Sequence, residues 1–67
     1  MAAINLNGEE FQVGPGATVS SLLEQLELKG DRVAVELDRS IVPRGRWTAT
    51  KISAGASVEV VHFVGGG

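Results

Sequence analysis

Only one stretch of this chain carries a helical period, and runs of period two lie on both sides of it. In "TVSSLLEQL" the residues Val19, Leu22, Leu23 and Leu26 fall at helical spacing and form one apolar stripe. Everything else with a clear period alternates, as half-buried strands do. The chain has 67 residues, enough for one small domain. It has no cysteine and a single histidine, so neither a disulfide nor a histidine–cysteine metal cage can staple it. A domain of this size buries only about 60% of the surface its unfolded chain exposes. The stripe and the apolar faces of the strands must therefore pack on each other.

Residues 3–7, "AINLN", place Ile4 and Leu6 on one face. Asn7-Gly8 follows, the pair best suited to the two positive-φ positions of a type I′ hairpin turn. "EFQV" is the return strand, with Phe11 and Val13 on one side. Pro15 and Gly16 suit a type II turn, and Thr18 is placed to cap the helix N-terminus. Gly30 is expected to end that helix, after about three turns, in a left-handed conformation.

"RVAVELD" returns to alternation with Val33, Val35 and Leu37 on one side, and Pro43 confines the short run "RSIV" to a sheet edge. Residues 44–56 have no strong period and should be turns and loop around Trp47 and Ile52. "VEVVHFV" closes the pattern as a strand over residues 58–64. One helix across one mixed sheet is an α+β arrangement in two layers. The first and last strands can then lie side by side at the sheet centre, an order that suits the ubiquitin-like β-grasp.

Charge excludes one class of partner. The net charge is −2, and Glu36 and Asp38 interleave with Arg32, Arg39, Arg44 and Arg46. That is a solvated face, with no concentrated positive patch for nucleic acid. The longest apolar run is too short for a membrane span, and the N-terminus lacks signal-peptide character, so a cytoplasmic location is expected.

"TVSSLLEQLELKG", then "IVPRGRW", then a strand running into "GGG" together resemble the ThiS family, the sulfur carriers of thiamine biosynthesis. The Val42-Pro43-Arg44 run with Trp47 three residues on is the most specific part. The resemblance implies a β-grasp domain over residues 1–64 and a flexible glycine tail over 65–67. It implies that the carboxylate of Gly67 is adenylated, becomes a thiocarboxylate and donates sulfur to thiazole formation. The implied partners are an E1-like adenylating enzyme of the ThiF type, a thiazole synthase of the ThiG type and a sulfur-donor protein. No cofactor is expected on the chain itself, since ATP is used by the activating enzyme. Many members end in two glycines, so the third, Gly65, stands where a side chain is usual.

The tail suits that chemistry. A terminal carboxylate is ionised at neutral pH, with a pKa near 3.5, and needs a good leaving group before it reacts. Gly65 and Gly66 offer an unhindered backbone for a narrow partner channel, and three extended residues reach about 10 Å. The chain brings no nucleophile or base of its own to this chemistry, so it is expected to be a protein co-substrate and not an enzyme. A ubiquitin-like modifier forming isopeptide bonds, a carrier for another sulfur pathway such as molybdopterin or sulfur amino-acid synthesis, and a plain interaction module remain alternatives.

Alternation in the last strand sends Val58 and Val60 inward and Glu59, Val61 and Phe63 outward. Val61 and Phe63 are accordingly a candidate partner-binding surface. His62 is expected to be a packed or solvated strand residue, Trp47 a packing residue and Arg44 a brace for its loop.

Overall fold

A computed structural model describes residues 1–28 and 32–63. Among these residues there are five strands: β1 (Ala2–Leu6), β2 (Glu9–Val13), β3 (Val33–Leu37), β4 (Ser40–Ile41) and β5 (Ser57–His62). One α-helix, α1 (Val19–Gln25), follows β2, and a 3₁₀ turn covers Arg44–Arg46. The strands form a single sheet in the order β2-β1-β5-β3-β4. Its central pair, β1 and β5, is parallel, with Asn5 beside Ser57 and Leu6 beside Val58, and the other pairings are antiparallel. This is the ubiquitin-like β-grasp.

The local signals act as their chemistry requires. Asn7 and Gly8 both take positive φ, 51° and 87°, and Gly16 has φ 72° after Pro15. Thr18 caps α1, its hydroxyl accepting from the Ser21 backbone N–H, and the Ser21 hydroxyl accepts from the Thr18 N–H in return. Two further backbone donors at this helix end are satisfied from outside. Val19 N–H reaches the Thr50 carbonyl and Ser20 N–H reaches the Trp47 carbonyl. The segment after the 3₁₀ turn is thereby fastened to the helix start.

The core lies between α1 and one face of the sheet. Leu22, Val13, Val19, Val35 and Val58 are its most deeply buried large side chains. Ile4, Leu23, Val42, Trp47 and Ile52 complete most of the rest. Pro43 follows the short edge strand β4, as its missing N–H demands.

The helix is shorter than expected. It has seven residues, about two turns, and its C-cap is Leu26. Glu27 then adopts φ 61°, so the left-handed position falls on a glutamate. Glu27 N–H bonds to the Glu24 carbonyl and Leu28 N–H to the Leu23 carbonyl, the two bonds of a Schellman termination. Gly30, expected to end the helix, lies outside the described residues. Leu28 is partly buried against the core, and its packing is what a continued helix would lose.

Three substitutions test this layout in denaturant melts. Leu22→Ala should cost about 2–5 kcal/mol, and Leu26→Ala, only partly buried at the C-cap, less than about 2 kcal/mol. Glu27→Gly should stabilise by about 0.5–1 kcal/mol, because glycine takes positive φ without a Cβ clash. Destabilisation by Glu27→Gly would mean that the glutamate side chain contributes more than its backbone strain costs.

Candidate functional site

The expected tail residues Gly65, Gly66 and Gly67 lie outside the described residues, and so does the proposed domain boundary at residue 64. The strand that leads to them is fully placed. β5 has β3 on one side, with Val35 opposite Val60, Ala34 opposite Val61 and Val33 opposite His62. One step later the Phe63 N–H donates to the Arg32 carbonyl at 2.7 Å.

On its other side β5 borders β1 only briefly. Asn5 N–H donates to the Ala56 carbonyl and Asn7 N–H to the Val58 carbonyl, both at 2.9 Å. There β1 turns away into its hairpin. The Asn7 side chain carries the pairing one rung further: its Oδ1 accepts from Val60 N–H at 2.8 Å, and its Nδ2 donates to the Val60 carbonyl at 3.1 Å. A primary amide bonded in this way stands in for a missing stretch of backbone. Asn7 thus serves the turn through its positive φ and the last strand through its side chain.

The side chains of β5 alternate as expected from Val58 to Val61, and His62 at the strand end is exposed. Val58 is fully buried and Val60 is half-buried, while Glu59 is exposed. Val61 and Phe63 are 51% and 54% exposed; Val61 lies on the sheet face away from α1, opposite Ala34, and Phe63 follows the end of β5. Ile41, 72% exposed, pairs with Glu36 and belongs to the same face, a feature the period of its short strand could not reveal. Glu36 also stands directly opposite Glu59.

His62 is exposed, and no group of three histidine, cysteine or acidic residues suited to a metal occurs among the described residues. Trp47 is buried and its indole N–H donates to the Val42 carbonyl at 2.9 Å, the packing role expected of it. The Arg44 guanidinium lies 5.8 Å from the Trp47 ring centroid, within cation–π range, and braces the loop. Beside them, on the helix side, an open depression of about 220 Å³ is lined by Ser20, Leu23, Glu24 and Leu28. No helix among the described residues is long and apolar enough to cross a membrane.

Asn7→Gly should keep the turn but remove both side-chain bonds to Val60, costing about 1–2 kcal/mol in denaturant melts. Faster hydrogen exchange at the Val60 amide should accompany it. Unchanged exchange would show that the amide clamp does not hold β5.

A model of the ThiS family matches residues 2–67. The chain is 41% identical over 64 residues to a thiazole synthase of Magnetococcus marinus, covering 96% of this chain and 20% of that protein. It thus spans about a fifth of that relative's length. It is 31% identical over 64 residues to the sulfur carrier protein ThiS of Escherichia coli, covering 96% of this chain and 97% of that one. The crystal structure of a thiamine biosynthesis protein (ThiS) from Geobacter metallireducens superposes with a TM-score of 0.82 at 31% identity, covering 97% and 99% of the two chains.

Proposed function

The chain belongs to the ThiS family of sulfur carriers, and from that membership we propose that Gly67 carries sulfur as a C-terminal thiocarboxylate for thiazole formation in thiamine biosynthesis. The observation that carries this reading is the family match itself, which continues through the last glycine. The names of the relatives favour thiamine over another sulfur pathway, since one is a thiazole synthase and another a thiamine biosynthesis protein.

In this reading the Gly67 carboxylate attacks the α-phosphate of ATP on an E1-like adenylating enzyme, and pyrophosphate leaves. The acyl adenylate now has a good leaving group. Sulfur delivered by a donor protein displaces AMP and stays on the acyl carbon. A thiazole synthase then takes the sulfur. The folded body does none of this bond making. It presents the tail, and the exposed pair Val61 and Phe63 is the surface by which partners grip it. Aromatic anchors carry a disproportionate share of interface energy, which makes Phe63 the better candidate.

Intact-mass measurement after incubation with ATP, a sulfur donor and the cognate activating enzyme should show one oxygen replaced by sulfur. Attachment to lysines of other proteins would support a modifier instead. Deleting Gly67, or adding residues beyond it, should abolish the mass change while leaving the melting temperature unaltered. Sulfur transfer at full rate from an uncleaved C-terminal fusion would overturn the assignment. Phe63→Ala should weaken binding to the activating enzyme or the synthase with little change in melting temperature, as expected for a side chain 54% exposed.

A further inference from the structure

Asn7-Gly8 is a reactive pair as well as a turn. An asparagine amide can be attacked at Cγ by the backbone nitrogen of the residue that follows, closing a cyclic imide. Glycine leaves that nitrogen least hindered, because it has no Cβ. Asn7 and Gly8 are both exposed, so water and hydroxide reach them. The only other asparagine in the chain, Asn5, precedes the bulkier Leu6.

In the fold both reacting groups are already engaged. The Gly8 N–H, whose nitrogen would attack, donates to Asn5 Oδ1 at 2.9 Å. The Asn7 amide, which would be attacked, is held to Val60 by bonds of 2.8 and 3.1 Å. We propose that Asn7 is a site of spontaneous deamidation, that these three bonds hold the reaction in check, and that the reaction releases the clamp on β5.

The chemistry needs only water. Hydroxide removes the Gly8 amide proton, and the nitrogen forms a bond to Asn7 Cγ. The Cγ–Nδ2 bond then breaks, and Nδ2 leaves as ammonia after taking a proton from water, which restores the hydroxide. Water next adds across one of the two imide C–N bonds. Opening at Cγ gives an aspartyl residue, and opening at the main-chain carbonyl gives an isoaspartyl one. In the aspartyl product a carboxylate oxygen stands where Nδ2 donated to the Val60 carbonyl at 3.1 Å, and two acceptors at that distance repel. In the isoaspartyl product an extra main-chain carbon enters the tight turn between β1 and β2. Either way the last rung on β5 is lost, in the strand that runs toward the terminal glycines.

The test is incubation of the intact protein at mildly alkaline pH, with and without denaturant, following the peptide that carries Asn7 by mass and retention. Conversion in the folded protein should be roughly tenfold slower than in denaturant, since it waits on local opening of three hydrogen bonds. Asn5→Ala frees the Gly8 N–H and should convert several-fold faster than the wild type when folded, but at the same rate in denaturant. Asn7→Asp and the deamidated protein should both show faster hydrogen exchange at the Val60 amide. No conversion under either condition would overturn the site. Equal rates with and without denaturant, or a folded Asn5→Ala that converts no faster, would overturn the check. The wild-type comparison decides that point alone if Asn5→Ala does not fold. Unchanged exchange at Val60 in both modified forms would overturn the release of β5.

Discussion

The parallel pairing of β1 with β5 is the constraint on which the rest of this domain depends. Parallel neighbours cannot be joined by a tight turn; they need a crossover. Here almost the whole chain is that crossover, carrying α1 across one face and β3 and β4 along the far side. The pairing buries Ile4 and Val58 against the helix and leaves only β2 and the two-residue β4 as edges. Without a disulfide, the chain relies on this closure to bury Leu22 and Val19 completely.

Much of this was legible from single residues whose chemistry admits few alternatives. Asn7-Gly8 could hardly be anything but a tight hairpin turn, Thr18 had a helix to cap, and Pro43 could not sit within a sheet. What escaped were features decided by tertiary contacts. Glu27 takes the left-handed position although nothing in a glutamate announces it, because ending α1 there lets Leu28 fold back onto the core. Asp38 and Arg39 make a second tight turn with φ 49° and 74°. It is held because Asp38 bonds Ser57 through both its backbone N–H and its carboxylate. The aperiodic segment after β4 is ordered by distant partners, above all the bonds from Val19 and Ser20 to the Thr50 and Trp47 carbonyls.

The candidate site was legible to the same depth. Alternation within β5 was enough to place Val61 outside, and Phe63, just past the strand end, is exposed as well. The opposition of Glu36 and Glu59 needed the register between two strands far apart in sequence, which neither strand encodes alone. The glycines could be assigned a role only through the family, since they have no side chains to interpret. Recognition and reaction are thus divided in the proposed carrier: the sheet supplies contact surface, and the tail supplies a backbone carboxyl.

The clamp of Asn7 on Val60 bears on how the sheet would respond to a force applied at the end of β5. In the proposed carrier, a tail drawn into a partner's channel would load β5 along its own axis, parallel to β1 and antiparallel to β3. Its bonds to Asn5, Asn7 and the Asn7 side chain lie across that pull, so they carry the load in shear and must yield together. Peeling them one at a time is not available to a force in this direction. The side chain of Asn7 thus adds the last rung to the part of the sheet that such a pull would strain.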